Sequence, residues 1–555
     1  MRDLAYLKLL SREYPNIRAA ASDIINLQAI CGLPKGTEYF FSDLHGEHEA
    51  FIYLLRSSSG IIREKIRETF GHIISEEDEV RLANLIYYPE KMINQIKQAN
   101  EYTEDWQKTA VYRLVQICRE VSSKYTRSKV RKKMPREFSG VIDELLYVDN
   151  TDDNKTEYYS ELINTLIDVR VADSFIVVIC SLIRSLTIDN LHILGDIFDR
   201  GPRPDIILEE LMHFHDVDIQ WGNHDISWMG AATGNRACIC NVLRMALGYN
   251  GFDVLEDGYG INLRPLSMFA ERVYRDDPCT CFLPQILDKN IYDAVDPKLA
   301  AKMHKAIAVL QYKEEGQIIK RHPEYGMEER ILLSAIRYDR GTVTIDGKEY
   351  PMRDMNFPTV DPADPLRLTD EEEELLHTLE LSFRHNARLH EHVRFLYSNG
   401  SMYKCCNSNL LYHGCIPMTE NREFDGLMVG GKMYRGKELM DFIDTQVKNA
   451  YFLPEDAPEK EACRDFMWYL WNGAKSPVFG KDKNRSFEHY FIEDPEVMRE
   501  TMNPYYQLSE EEETCDMILK EFGLPTKGSH IINGHMPVKI KSGETPIRAG
   551  GKLFI

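Results

Sequence analysis

The chain has 555 residues, with 88 acidic against 67 basic side chains and a formal net charge of -21. That balance excludes broad binding to nucleic acid or anionic membranes, which needs cationic surface. A hydrophobic content of 43% and an aromatic content of 10% exclude a largely disordered chain. Any phosphate the protein handles must therefore be held locally, by metal ions or a few arginines.

The N-terminus, Met-Arg-Asp-Leu-Ala-Tyr-Leu-Lys, lacks the apolar segment of a secretory signal. The longest mostly apolar run, Phe175 to Ile183, is too short to span a bilayer. The 12 cysteines then read as reduced, mostly buried thiols of a cytoplasmic protein. Two Cys-x-Cys pairs, Cys238/Cys240 and Cys279/Cys281, are spaced more closely than structural zinc prefers.

Five short apolar runs read as buried strands: Tyr39 to Phe41, Leu191 to Leu194, Ile219 to Trp221, Leu410 to Tyr412, and Ile531-Ile532. Each is followed at once by Ser, Gly, His or Asn, as when a buried strand ends in a functional loop. Between them lie helical stretches. Glu47 to about Ile188 contains amphipathic runs such as Asp78 to Ile86, and Leu299 to Lys313 and Glu371 to Phe395 have the same character. Thr369, three residues before Glu372, is the expected N-cap of the last. Its histidines His377, His385, His390 and His392 read as a solvated polar face. No Gly/Ser- or Pro-rich linker separates the pieces, so one α/β core with large helical insertions is expected.

The chemistry lies just after the strands. The first delivers Ser42-Asp43-Leu44-His45-Gly46, in which Asp43 and His45 share a face of an extended segment. The second delivers Gly195-Asp196-Ile197-Phe198-Asp199-Arg200-Gly201, a dense set of charges and glycines that a simple turn does not need. The third delivers Gly222-Asn223-His224-Asp225, the fourth Tyr412-His413-Gly414, and the fifth Asn533-Gly534-His535. Counting donors, Asp43, His45 and Asp196 supply one metal ion. Asp196, Asn223, His413 and His535 supply a second, with Asp196 bridging. Oxygen and nitrogen ligation without thiolate suits Mn²⁺, Fe or Zn²⁺ better than Ca²⁺ or copper.

In order, these five motifs match those of calcineurin-like metallophosphoesterases, and the surrounding text resembles class III fructose-1,6-bisphosphatase. The resembling stretches include Leu33 to Glu38, Ile219 to Asp225, Gly260 to Leu266, Gly326 to Arg330, Phe466 to Trp471 and Ile531 to Lys539. The resemblance implies an α/β, metallophosphoesterase-type core of two packed mixed β-sheets flanked by helices. Core segments fall at about 30–60, 186–265, 396–430 and 526–555, and insertions at about 61–185, 266–395 and 431–525. It also implies Mn²⁺ as the metal and gluconeogenic hydrolysis of the 1-phosphate of fructose 1,6-bisphosphate to fructose 6-phosphate.

The expected mechanism is in-line attack by a hydroxide shared between two ions. Arg200 would hold the phosphoryl oxygens, His224 would protonate the leaving alkoxide and Asp199 would orient His224. Arg236, Arg264 and Lys539 are candidates for the second phosphate. The partner is a small sugar bisphosphate, with no nucleic acid and no membrane; a homo-oligomer is compatible with the sequence.

Two features depart from the pattern. Pro537 stands where many relatives of the superfamily carry a second histidine, and the chain stops at Gly551 to Ile555, a strand just begun, where class III members continue. The expectation is either a truncated protein, with a sheet edge left unpaired, or a final sheet completed otherwise. The competing readings are a protein Ser/Thr phosphatase, which shares the five motifs, and a non-catalytic scaffold on the same core.

Overall fold

The computed structural model describes residues 2–33, 36–147, 153–285 and 296–555. It divides into two compact units, Met1–Tyr39 with Tyr53–Asn190, and Phe40–Ile52 with Leu191–Ile555. No helix among the described residues is long and apolar enough to cross a membrane.

The first unit is built on helices. Leu114, Val115 and Cys118 of the helix Glu104–Ser122 pack in one core with Phe175, Ile176, Ile179 and Ile183 of Ala172–Thr187 and with Leu82, Leu85 and Ile86 of Glu76–Tyr87. The apolar residues recur every three or four positions, so each helix buries one stripe. Ser75 accepts a bond from the Asp78 N–H at 3.1 Å and Thr103 one from the Trp106 N–H at 3.2 Å. Both caps are followed by acidic first turns, which oppose the helix dipole favourably.

The second unit holds the sheets, apart from Glu38, Tyr39 and Asn190 at the starts of two strands. Its strands β1 (Glu38–Phe41), β2 (Asn190–Ile193), β3 (Val217–Gln220) and β4 (Gly400–Ser401) form one sheet in that order. The pairs β2–β3 and β3–β4 are parallel. Further strands β5 (Tyr403–Cys406), β6 (Asn409–Tyr412), β7 (His530–Ile532), β8 (Ile547–Arg548) and β9 (Leu553–Phe554) form a mixed sheet in the order β8-β9-β7-β6-β5. Here β6 and β7 are parallel. A three-stranded sheet between Ile336 and Pro351 and a hairpin between Gly426 and Arg435 stand apart from both. All five strands expected from sequence are present, within two residues of their expected bounds.

Two helical expectations change in detail. The helix expected over Leu299 to Lys313 runs over Pro297–Arg321, because Ile318 and Ile319 extend its buried face. The stretch Glu371 to Phe395 is two helices, Asp370–Arg384 and Ala387–Asn399. Asn386 starts the second by accepting a bond from the Leu389 N–H at 2.9 Å. Thr369 caps the first as expected, in a reciprocal pair with Glu372. Of the four histidines, His392 departs from a solvated face: it is buried, with Nδ1 2.9 Å from the Tyr259 hydroxyl. The last strand, β9, is internal to its sheet, parallel to β7 on one side and antiparallel to β8 on the other. The short hairpin partner Ile547–Arg548 therefore covers the edge that the sequence left open.

The helix Asn223–Thr233 follows β3 directly, and every one of its residues is buried. Its Asp225 accepts bonds from three backbone N–H groups, those of Asp196 (2.8 Å), Ile197 (2.9 Å) and Gly222 (2.9 Å). One carboxylate thus fixes the loop after β2 against the loop after β3. Removing it strands three buried donors. Asp225→Ala is expected to lower stability by on the order of 4 kcal/mol. Urea denaturation followed by tryptophan fluorescence reads this unit well, since Trp221, Trp228, Trp468 and Trp471 all lie in it. A change below about 1 kcal/mol would show that the loops hold themselves without the clamp.

Candidate metal centre

All nine residues singled out in the sequence lie in the second unit, at or just beyond the carboxyl ends of five strands: Asp43 and His45 after β1; Asp196, Asp199 and Arg200 after β2; Asn223 and His224 after β3; His413 after β6; and His535 after β7. Parallel neighbours put their carboxyl ends side by side, and this is why residues remote in sequence converge. The loops after β1 and β2 are zipped together by backbone bonds from Asp43 N–H to Gly195 O (3.0 Å), His45 N–H to Asp196 O (2.8 Å) and Gly201 N–H to His45 O (2.7 Å). The His535 N–H donates to the Asp43 carboxylate at 3.0 Å, which joins the last motif to the first.

The backbone here is strained. Asp43, His45, Asp196, Asp199, Arg200 and His535 have φ of 53, 42, 57, 66, 70 and 68°. Side chains rarely adopt positive φ, and such strain persists only where the surroundings over-determine it. Two glycines are required by close approach. A Cβ on Gly222 would collide with the Asp196 carboxylate, and one on Gly195 with Gly222 N and the His413 ring.

At the centre is Asp196, 2% exposed. Its Oδ1 accepts the His224 N–H at 3.1 Å, while Oδ2 lies 3.4 Å from His413 Nε2 and 3.9 Å from His45 Nε2. Asp43 Oδ1 is 3.9 Å from the same His45 nitrogen. The other ring nitrogens are committed. His45 Nδ1–H donates to the Phe198 carbonyl (3.0 Å), His413 Nδ1–H to Leu194 (2.5 Å) and His535 Nε2–H to Phe479 (3.1 Å). That leaves three bare nitrogens turned inward, and His413 Nε2 faces His535 Nδ1 at 3.1 Å. Two lone pairs so close repel unless a proton or cation sits between them. Asn223 Oδ1 is likewise buried without a hydrogen-bond partner among the described residues.

The charge states express the same demand. Burial works against a charged His413, yet the Asp196 carboxylate raises its pKa to about 9. Burial and the neighbouring His413 push His535 down to about 3. Burial also opposes ionisation of Asp196, but His413 and His224 hold its pKa well below the usual range. The donor groups His45/Asp196/His224 and Asp196/His413/His535 are compact enough to hold a metal ion. The donor chemistry, the orphaned Asn223 oxygen and the opposed imidazoles all fit divalent cations.

Beside this centre, His224 Nδ1 is 2.6 Å from Asp199 Oδ2, and the second Asp199 oxygen accepts the Trp228 indole N–H at 2.8 Å. The edges of His45 and Trp471 box the His224 ring at 5.0 Å each. Burial lowers the His224 pKa, but Asp196 and Asp199 outweigh it and the net shift is upward. Arg200 is exposed and lines the same cleft, of about 1010 Å³, together with Asp43, His45, Asp196, Asn223, His224 and His535.

The three candidates for a second phosphate do not line it. Arg236 is paired with Glu373 and Glu380, and Arg264 and Lys539 face other cavities. Sequence reasoning gave no role to Asp225, Trp228 or the three carbonyls that orient the imidazoles. Asp225 was visible within its motif; the carbonyls carry no sequence signal.

The chain matches the family model for Firmicute fructose-1,6-bisphosphatase over residues 5–555. It is 51% identical over 553 residues to the fructose-1,6-bisphosphatase class 3 of Clostridium tetani, spanning 100% of this chain and 83% of that relative. The same protein of Bacteroides fragilis is 51% identical over 554 residues, with 83% of it spanned, and that of Alkaliphilus metalliredigens 51% over 555, with 84% spanned. No solved structure matches. The chain belongs to the class 3 fructose-1,6-bisphosphatase family, whose members are phosphoric monoester hydrolases.

Proposed function

We propose that this chain hydrolyses fructose 1,6-bisphosphate at its 1-phosphate, yielding fructose 6-phosphate and phosphate, in the cytoplasm and in the direction of gluconeogenesis. The observation that carries the reading is the buried Asp196 carboxylate between inward-turned, bare imidazole nitrogens. A metallophosphoesterase-type core interrupted by helical insertions would account for site residues arriving from the ends of strands in two sheets.

Asp43, His45 and Asp196 would hold one ion, and Asp196, Asn223, His413 and His535 the other. Hard oxygen and imidazole donors without thiolate suit Mn²⁺, Fe or Zn²⁺, and the resemblance to class III fructose-1,6-bisphosphatase puts Mn²⁺ first. Bound there, two divalent ions would supply Lewis acidity and a more acidic water as nucleophile toward phosphorus.

The protein's own groups do the rest. Arg200 presents a planar, permanently charged fork to the phosphoryl oxygens as charge builds on them. His224 donates Nδ1–H to Asp199 and so keeps Nε2 for the proton that the departing sugar oxygen takes up. Asp199 is itself held by Trp228, so the imidazole cannot rotate out of line. Burial lowers the His224 pKa, but Asp196 and Asp199 shift it upward overall and so favour the protonated ring. No covalent phosphoenzyme is required.

Phosphate release from fructose 1,6-bisphosphate should appear with Mn²⁺ and vanish after chelation, and should greatly exceed release from a phosphoserine peptide. The reverse preference would favour a protein phosphatase. Asp196→Asn should leave fewer than two ions per chain by elemental analysis and lower kcat by roughly three orders of magnitude; two ions with near-normal turnover would reject the scheme. Asp199→Asn should lower kcat about 10²- to 10⁴-fold with little change in KM. An unchanged kcat would remove His224 from the role of acid.

A further inference from the structure

Arg244 has a buried side chain with no ion-pair partner in contact among the described residues. It lies on the helix Arg236–Gly248, is 5% exposed and lines the cleft that holds Asp196 and His224. Its three hydrogen bonds all run to neutral acceptors. Nε–H donates to Gln311 Oε1 at 2.7 Å, Nη2–H to Asn241 Oδ1 at 2.8 Å and Nη1–H to the Tyr490 oxygen at 3.2 Å. A guanidinium carries five N–H donors, so two are left over. Among the described residues no carboxylate bonds it; Glu315, 2.7 Å from the Gln311 amide, acts on it as a charge without touching it. Buried arginines are ordinarily paired, because a lone charge out of water is costly.

The neutrality is built in. His304 Nδ1–H donates to the Phe282 carbonyl at 2.9 Å, so its Nε2 is a lone pair that accepts the Tyr490 O–H at 2.9 Å. The Tyr490 oxygen is thereby left as an acceptor facing Arg244. Burial, the largest influence, lowers the His304 pKa to about 3 and keeps the ring uncharged. Asn241 also donates its amide N–H to Ser227 Oγ at 2.8 Å, on the helix Asn223–Thr233 that carries Asn223 and His224. The guanidinium is thus held rigidly and indexed to the candidate metal centre, with donors to spare. Lys481, another cation on the cleft wall, is already paired with Glu500 at 2.6 Å.

We infer that Arg244 anchors the phosphate group that is not hydrolysed, so that the cleft selects a sugar bisphosphate over a simple monoester. The inference rests on the phosphatase reading of the metal end of the same cleft. A phosphate dianion matches a planar fork with free N–H groups and supplies a counter-ion in direct contact. Asn484 and Ser486 line the cleft as well and offer further neutral donors.

The test uses the full chain with Arg244→Gln and Arg244→Lys. With Mn²⁺, kcat/KM is measured for fructose 1,6-bisphosphate and for p-nitrophenyl phosphate, which has only one phosphate. The ratio of the two should fall about 10- to 100-fold in Arg244→Gln, chiefly through KM for the bisphosphate. Arg244→Lys, which keeps the charge and loses the fork, should fall between it and the parent. Calorimetric binding of fructose 6-phosphate to the metal-free chain is the second arm, and its affinity should drop at least tenfold in Arg244→Gln. A merely structural tie between helices would depress both substrates together and leave the ratio within about threefold of the parent; that result overturns the inference, as does unchanged fructose 6-phosphate binding. Should the parent release phosphate from neither substrate, the proposed function fails, and the binding arm still decides the role of Arg244. If Arg244→Gln does not fold, Arg244→Lys is read against the same limits.

Discussion

Asp196 brings a negative charge to a position where its carboxylate accepts one backbone N–H and otherwise faces imidazoles. The arrangement around it follows from the need to compensate that charge. Three histidines approach with one nitrogen committed to a main-chain carbonyl and the other left bare. Without a metal, the chain's own answer is a proton on His413, whose pKa lies near 9. Cations held between the same nitrogens would also give the orphaned Asn223 oxygen a partner. Second-layer carbonyls of this kind fix which nitrogen can bind, and so act on metal affinity without touching the metal.

Holding these donors together requires a backbone that most sequences avoid. Six of the nine site residues sit at positive φ, each at a cost of about 1 kcal/mol or more. The cost is offset by bonds that cross between the loops and by Asp225, which gathers three amides from two of them. Burial and the nearby Asp196 raise the Asp225 pKa to about 6, so the clamp itself stores electrostatic tension between two neighbouring carboxylates. A donor set pre-organised in this way does not have to be assembled when substrate arrives.

The lining of the cleft then carries two electrostatic demands. One comes from a cluster of anionic and imidazole donors that calls for cations. The other comes from a buried guanidinium in a ring of neutral acceptors that calls for an anion. A net charge of -21 on the whole chain is no obstacle to phosphate binding when the local fields are arranged like this. The acidic surface and the phosphate-seeking interior belong to different length scales, since exposed charges are screened over roughly 10 Å while buried ones are not.

The amino-acid sequence by itself determined which donors exist and that they follow strands. Short apolar runs ending in Asp, Asn or His are local patterns, and so is the capping pair Thr369 and Glu372; local patterns survive folding unchanged. Tertiary structure alone decided the rest. Arg236 looked like a phosphate ligand until Glu373 and Glu380 proved to lie against it, and Arg244 gave no signal because its distinction is that no carboxylate touches it. His392 went into the interior although its flanks are polar, and Leu553–Phe554 became an inner strand through a partner a few residues upstream. Each of these outcomes depends on what stands opposite a side chain or strand, and that is set by long-range packing that no stretch of sequence contains.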